Sequence, residues 1–334
     1  MNKERVFVPG GAGYKGAVLV PKLLEAGYQV TVLDWFLYGD DVLADHPNLR
    51  QVKGDVRDLD LVEELLQGSQ AVIHLACISN DPSVELEPAL SRSINYEAFV
   101  FFVDLAKKAG VGRFIFAASS SVYGVSNKQN VSEEHEHKPI TDYNRYKSMC
   151  ESVLWEAQAP GFAVTSVRPA TVCGYSPRLR LDLTVNILTN HAVNKQRITV
   201  FGGEQMRPNI HIEDITDLYL KLLEVSAKKI AGQAFNAGYQ NHKVIAIAQI
   251  VKRQVERLMP ELGEIEIETT KSNDVRSYHI SSEKLKRELG FVPKRTIEDA
   301  VDDLVAAFKA GKISDPMNNV KYYNIKMMQV CRVK

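Results

Sequence analysis

Arg5-Val6-Phe7-Val8-Pro9-Gly10-Gly11-Ala12-Gly13-Tyr14-Lys15-Gly16 is followed by Gln29-Val30-Thr31-Val32-Leu33 and then by Asp34. The order is strand, glycine turn, helix, strand, carboxylate, and that order builds a dinucleotide site. Gly10 or Gly11 makes the tight turn, Gly13 lets a pyrophosphate approach the backbone, and Gly16 lets the helix sit close to the strand. A helix N-terminus offers unpaired N–H groups to phosphate oxygens. Asp34 at the end of the second strand accepts from both ribose hydroxyls and repels a 2′-phosphate. No arginine follows it, only Trp35, Phe36 and Leu37. The expected cofactor is therefore NAD rather than NADP.

The same rhythm continues outward. Val6–Val8, Gln29–Leu33, Leu49–Val52, Ala71–Leu75, Arg113–Ala117 and Ala163–Val167 read as strands. Most are short apolar runs, as in a parallel sheet covered on both faces. Helical patterns fill the gaps at Lys15–Ala26, Leu59–Leu66, Ala89–Lys108 and Asn144–Ala157. Pro21 conflicts with the first of these and marks a kink. The expected fold class is α/β, a doubly wound parallel sheet of six strands with a smaller mixed α/β lobe. The dinucleotide domain spans residues 1–170 and is rejoined by about 205–235. Residues 171–204 and 236–334 form a discontinuous second lobe. After Arg168-Pro169 the segment from Thr171 to Arg180 reads as a loop and Leu181–Val193 as a helix. Ile198–Phe201 and Gly263–Thr270 read as strands, and Ile212–Ala227, Gln240–Met259, Glu283–Leu289 and Asp299–Lys309 as helices. The acid pair Glu213-Asp214 suits the helix N-terminus that returns to the first domain.

Composition narrows the class. The 334 residues exceed a usual single core, and 41 basic residues balance 41 acidic ones. That balance argues against a general nucleic-acid binder. The four cysteines are widely spaced and form no zinc-like pair, and the eight histidines form no ligand triad in sequence, so no metal is expected. No apolar run is long enough to span a bilayer, and none at the N-terminus resembles a signal peptide. The expected setting is a reducing cytoplasm, without a membrane partner.

Two segments add chemistry. Ala117-Ala118-Ser119-Ser120-Ser121-Val122-Tyr123-Gly124 follows the fifth strand, and Tyr143-Asn144-Arg145-Tyr146-Lys147 opens a helix. Tyr143 and Lys147 lie four apart on one helical face. A lysine beside a phenol favours the phenolate and lowers its pKa. A serine at a strand end holds the substrate oxygen while the tyrosine moves its proton. Beside a nicotinamide this set interconverts alcohol and ketone.

With these motifs the chain resembles the extended short-chain dehydrogenase/reductase family, in particular its NAD-dependent nucleotide-sugar epimerases and dehydratases, over nearly its whole length. The resemblance implies that Ser119, Tyr143 and Lys147 are catalytic, Ser119 standing three residues before Val122 in Ser-x-x-Val-Tyr-Gly. It implies cofactor contacts from Gly10, Gly13, Tyr14, Gly16, Asp34, Asp55, Val56, Leu75, Ala76, Cys77, Asn95, Tyr143, Lys147 and Pro169. Lys15 joins that set; it stands where the family has a hydrophobic residue, and it either faces solvent or touches the pyrophosphate. Pro9 replaces a threonine, and Tyr96 stands where small residues are common.

The resemblance also implies a nucleotide-diphosphate sugar as substrate. Ser120 and Ser121 would face the substrate, Thr171 would contact the sugar diphosphate, and Arg207 would grip that diphosphate. Lys271 and Arg276 compete as a second anchor. Arg178 and Arg180 form a basic cluster for the diphosphate or a further charge, and Asn186 is a weaker sugar contact. A forked arginine suits pyrophosphate well. His211 is read as a structural hydrogen-bonding residue. Dehydrating relatives carry Asp-Glu where this chain has Ser120 and Ser121, and neither hydroxyl is an efficient proton carrier near neutral pH. The leading expectation is a nucleotide-sugar 4-epimerase. A C4 dehydrogenase or 4-ketosugar reductase is the runner-up, ahead of a 4,6-dehydratase or a non-catalytic sensor. Relatives pair through two helices, here Ala89–Lys108 and Asn144–Ala157. Phe101, Phe102, Val153 and Leu154 fit such a homodimer seam.

Overall fold

The computed structural model describes residues 4–126, 128, 130–271 and 277–331. Its strands are β1 (Arg5–Pro9), β2 (Gln29–Asp34), β3 (Leu49–Lys53), β4 (Ala71–His74), β5 (Arg113–Ala117), β6 (Ala163–Pro169), β7 (Thr171–Cys173), β8 (Arg197–Phe201), β9 (Met206–His211), β10 (Gln233–Ala237), β11 (Gln240–Lys243) and β12 (Glu266–Thr270). The helices are α1 (Gly16–Glu25), α2 (Leu59–Leu66), α3 (Asp81–Leu86), α4 (Pro88–Arg92), α5 (Ala98–Lys108), α6 (Asp142–Ala157), α7 (Thr184–Lys195), α8 (Ile212–Glu224), α9 (Ala227–Ile230), α10 (Val244–Leu258), α11 (Ile297–Lys309) and α12 (Asn324–Cys331).

Seven strands form one parallel sheet in the order β10-β6-β5-β4-β1-β2-β3. The alternation along β1 sends Val6 and Val8 into the core beneath α1 and α8 and Phe7 into the core beneath α2, α5 and α6. The strand order reverses between β1 and β4. Their C-terminal ends open a crevice there, the usual ligand position in such sheets. Two smaller sheets stand beyond it, β11-β9-β7 and β12-β8, with a third core among α7, α10 and α11.

Most expected strands and helices form, with several differences. The segment from Thr171 to Arg180, expected as a loop, opens with β7, which pairs in parallel with the unforeseen β9. The sheet has a seventh strand, because β10 joins β6 in parallel at the edge. Its sequence, Gln233-Ala234-Phe235-Asn236-Ala237, is too mixed to read as a buried strand. The expected helix Ala89–Lys108 is interrupted by a wide π turn at Ser93–Glu97, which sits beside the inward-facing Asn95. The expected helix Gln240–Met259 begins instead as strand β11, which pairs with β9. The helix α3 was not foreseen; Asn80 caps it by accepting from the Ser83 amide at 3.0 Å. Pro21 lies on the exposed face of α1 without ending it. The helix α8 packs on α1, and Lys22 ties them through Glu213 at 2.6 Å and Asp217 at 2.5 Å. Of the residues expected in a dimer seam, Phe102 and Leu154 are fully buried in the core instead. They point at the sheet, while Phe101 points away and is 55% exposed.

One buried network sets α6 against β6. The Arg168 guanidinium donates Nε to Glu151 Oε1 at 2.9 Å and Nη2 to Glu151 Oε2 at 2.5 Å. Ser166 Oγ donates to the same carboxylate at 2.6 Å. Arg168 Nη1 also donates to Tyr123 Oη at 2.6 Å, and Tyr123 Oη donates to Asn236 Oδ1 at 2.7 Å. Removing one partner of a buried ion pair strands the other charge away from water. Glu151→Ala should therefore lower the unfolding free energy by about 3–5 kcal/mol, read from urea denaturation. A loss below about 1 kcal/mol, the scale of an exposed pair, would show that α6 is seated by apolar contacts alone.

Candidate active site

The glycine turn is resolved residue by residue. Gly10 adopts φ +80°, and a Cβ there would stand 2.4 Å from the Ala76 amide nitrogen. Gly10 therefore makes the tight turn, while Gly11 is small because Val32 packs against it. A Cβ on Gly16 would meet the Gly11 carbonyl oxygen at 2.3 Å, which explains the close helix. Gly13 has only the Gly10 carbonyl oxygen nearby, at 3.1 Å, and faces the cleft. The first turn of α1 carries no acidic residue and no side-chain cap, so its N–H dipoles remain suited to an anion.

A cleft of about 410 Å³ runs from this turn to the ends of β5 and β6. Of the expected cofactor residues, Gly10, Gly13, Tyr14, Lys15, Gly16, Asp34, Val56, Leu75, Ala76, Cys77, Tyr143, Lys147 and Pro169 line it. Two do not. Asp55 is drawn aside by Arg57, whose Nη2 reaches it at 2.7 Å. Asn95 braces the loop after β4 from behind, exchanging hydrogen bonds with the Ile78 backbone at 2.8 and 2.9 Å.

Asp34 accepts from the Ala12 amide through Oδ2 and the Phe36 amide through Oδ1, both at 3.0 Å. Each oxygen keeps a second lone pair for a ribose hydroxyl. Burial raises its pKa, and the backbone bonds and the field of Arg178 oppose that rise. An arginine therefore does stand near Asp34, delivered from far along the chain. Lys15 points into the cleft with its Nζ 5.9 Å from the Tyr219 ring centre. Burial, with Lys147 and Arg180 adding, pushes its ammonium down to about 8.

At the far end Thr141 caps α6 by accepting from the Asn144 amide. Tyr143, Lys147 and Glu151 then share one face of the helix. Lys147 is buried, donates Nζ to the Ala117 carbonyl at 2.7 Å, and lies 4.7 Å from the Phe116 ring centre. Tyr143 is hydrogen-bonded to Ser119. Burial drives its pKa well up, Cys77 and Asp81 add to that, and Arg180 and the Ser119 bond pull it down. Burial, rather than a neighbouring cation, is the largest influence on this phenol. Ser119 Oγ and Ser121 Oγ are 2.7 Å apart, and Ser121 Oγ donates to Asn144 Oδ1.

On the substrate side, Ser121, Thr171, Arg178, Arg180 and Arg207 line the cleft. Ser120 does not. It is fully buried and turned toward Tyr278, with its Oγ 3.4 Å from that hydroxyl. Asn186 is also buried away from the cleft; its Oδ1 accepts from the Gly174 amide at 3.0 Å and its Nδ2 donates to the Arg180 carbonyl at 2.8 Å. Lys271 is exposed outside the cleft, and Arg276 lies outside the described residues. His211 caps α8 by accepting from the Glu213 amide at 3.2 Å, as a structural histidine does. Sequence reasoning missed Tyr38, Asp81, Thr184, Tyr278, Asn324 and Met328, which also line the cleft. No local motif marks them. Asn144 was visible inside Tyr-Asn-Arg-Tyr-Lys but carried no assigned role.

Comparison with known proteins places the chain among NAD-dependent nucleotide-sugar enzymes. The model of the NAD dependent epimerase/dehydratase family matches residues 6–238. The UDP-glucose 4-epimerase of Lactobacillus helveticus is 27% identical over 328 residues, covering 90% of this chain and 95% of that protein. The dTDP-glucose 4,6-dehydratase of Streptomyces niveus is 26% identical over 327 residues, covering 91% and 93%. Among solved structures, the UDP-glucose 4-epimerase of Thermotoga maritima with UDP-glucose superposes with a TM-score of 0.82 at 25% identity, covering 92% of this chain and 99% of that one.

The position of Lys15 gives a pH dependence with a definite sign. A diphosphate favours the ammonium, so its binding is strongest while Lys15 is charged. NAD affinity should fall as pH rises through about 8, measured by calorimetric titration. Lys15→Met should bind NAD more weakly at neutral pH and lose that fall. A flat profile in the parent protein would assign Lys15 to packing on Tyr219 alone.

Proposed function

The chain belongs to the NAD dependent epimerase/dehydratase family, and from that premise we propose that it is a nucleotide-sugar 4-epimerase that keeps its NAD through each cycle. Residues 1–170, rejoined by about 205–235, hold the cofactor, and the remaining lobe holds the sugar nucleotide. The cradle fits NAD on its own geometry: the positive φ at Gly10, the open face of Gly13, the Asp34 carboxylate and the cationic side chains of Lys15 and Lys147. When bound, NAD takes a hydride from C4 of the sugar and returns it.

The chain's own groups do the rest. In its phenolate form, which the charges of Lys147 and Arg180 favour, Tyr143 accepts the proton of the C4 hydroxyl and gives it back to the ketone oxygen. Ser119, already bonded to Tyr143, holds that oxygen in line. Lys147 is fixed by the Ala117 carbonyl, so its charge stays beside the reacting face. Positive charge from Lys147 and Arg180 stabilises the oxyanion as the proton leaves. Arg207 takes the diphosphate of the sugar nucleotide. The pocket would have to let the ketosugar turn, so that either face of its C4 could be presented to the same reacting groups.

The observation that carries epimerisation over elimination is the chemistry behind Ser119. Dehydration needs an acid–base pair there. Ser121 is held by Asn144 and Ser119, and Ser120 is buried against Tyr278. Glu133 is also accounted for, since its Oε1 accepts from the Asn236 amide at 2.7 Å and it does not line the cleft. The named relatives make uridine diphosphate sugars the first substrates to test.

Given UDP-glucose or another UDP-hexose and no added oxidant, the protein should interconvert C4 epimers many times per site, read by proton NMR. Tyr143→Phe should lose about two to four orders of magnitude in rate while holding NAD normally. Conversion that stops after one equivalent and resumes only with an oxoacid acceptor would establish a C4 dehydrogenase. Release of a 4-keto-6-deoxy sugar would establish a dehydratase.

The reading extends to a homodimer working in the reducing cytoplasm, consistent with four unpaired cysteines. Phe101 on α5 and Met149 on α6 are 55% and 40% exposed on adjacent helices. They form the apolar centre of the seam. Sedimentation equilibrium should give a dimer that Phe101→Glu converts to monomer, and a parent protein that sediments as a monomer would refute it.

A further inference from the structure

Arg178 carries an unexplained charge. It is only 4% exposed, and its Nε and Nη1 have no hydrogen-bond partner among the described residues. Its guanidinium lies 3.4 Å from the Tyr38 ring centre, stacked on the residue that follows the Asp34 loop. Its Nη2 donates to Asn324 Oδ1. Two buried charged donors without acceptors cost several kcal/mol unless something accepts from them.

The nearby carboxylates do not supply that acceptor. Both oxygens of Asp34 take backbone amides. Asp182 is committed to Arg180 Nε at 2.8 Å, to the Asn324 amide at 3.1 Å and to Asn80 Nδ2 at 3.2 Å. Yet Arg178 lines the cofactor cleft, and its field reaches both Asp34 and Tyr14. Asp34 marks the adenosine ribose and Tyr14 the start of α1. Between ribose and helix N-terminus lie the phosphates of a dinucleotide. The segment bearing Arg178 is fastened there, since Ser176 Oγ donates to the Tyr14 carbonyl at 2.8 Å and Tyr14 Oη to the Gly174 carbonyl at 2.7 Å.

We propose that Arg178 is a ligand of the cofactor's diphosphate, reaching it from the side opposite the glycine turn, and that Asn324 is the positioning residue that holds it there. The proposal rests on NAD as cofactor and not on the epimerase reading. Nε and Nη1 lie on either side of Cδ, so each offers a separate charge-assisted hydrogen bond to a phosphate oxygen. Asn324 also donates Nδ2 to Ser79 Oγ at 2.8 Å on the loop after β4. One side chain from α12 thus joins the Arg178 strap to the sheet edge across the cleft. Arg178 moves from the sugar-diphosphate set, where its sequence neighbours placed it, to the cofactor set.

Competition titrations with NAD, ADP, adenosine and UDP on the full-length, nucleotide-free protein test this. Losing a charge-assisted hydrogen bond costs about 1.5–3 kcal/mol, or roughly 10–100-fold. Arg178→Met, which keeps an apolar stem over Tyr38, should weaken NAD and ADP by about that factor and leave adenosine and UDP unchanged. Arg178→Lys should give the same ordering with a smaller loss, and covers the case in which the methionine variant misfolds. Asn324→Ala should speed NAD release and again spare adenosine. Weakening of UDP alone would return Arg178 to the sugar nucleotide and overturn the proposal. Equal weakening of all four ligands, adenosine included, would show a structural role and overturn it too, as would no change in any.

Discussion

The Arg168–Glu151 pair fixes where the reacting groups stand. Glu151 lies on α6 eight residues beyond Tyr143 and four beyond Lys147, so all three share one helical face. The carboxylate is gripped on both oxygens by a guanidinium at the end of β6. That contact sets both the height and the rotation of the helix against the sheet. Lys147 then meets the Ala117 carbonyl, where β5 ends, and Tyr143 meets Ser119 just beyond it. A slip of one residue would turn Tyr143 about 100° around the helix axis and out of the cleft. The pair is worth less as net stability than as register, because both charges were costly to desolvate.

Burial and charge compete throughout the cleft. A chain with equal numbers of acidic and basic residues gathers Lys15, Lys147, Arg178, Arg180 and Arg207 along one cavity. Asp34 and Asp182 are already engaged by backbone amides or by Arg180. Positive potential is therefore left over for phosphates, where dehydrated cations act most strongly. Desolvation nevertheless has the larger voice on single groups. It raises the Tyr143 phenol despite nearby Arg180 and pushes Lys15 down to about 8. A bound anion favours the ammonium of Lys15 and so restores its charge.

The C-terminal segment contributes to a site that begins at the opposite end of the chain. Asn324 starts α12 and meets Tyr38, Ser79, Asp182 and Arg178 in one cluster. Met328, one turn further on, lies in the core beneath α2 and α5 and also lines the cleft. Polar contacts at Asn324 thus add to the apolar core that already runs from the sheet to Leu181, Ile280 and Tyr323.

The sequence by itself determined the parallel sheet through β6, the glycine turn, Asp34 and the Ser119, Tyr143, Lys147 set. Each is written locally, as a periodicity or as a fixed spacing along one strand or helix. It could not show β10, whose place at the sheet edge comes from pairing with β6. It could not separate Ser120 from Ser121, because one residue turns a side chain from the cleft into the core. It misread Asn186 and the neighbourhood of Asp34 for the same kind of reason. Which arginine faces which anion depends on contacts between residues more than a hundred positions apart, such as Arg178 with Asn324. Only the folded chain decides those contacts, since they depend on how the second lobe closes over the sheet and not on any pattern along the backbone.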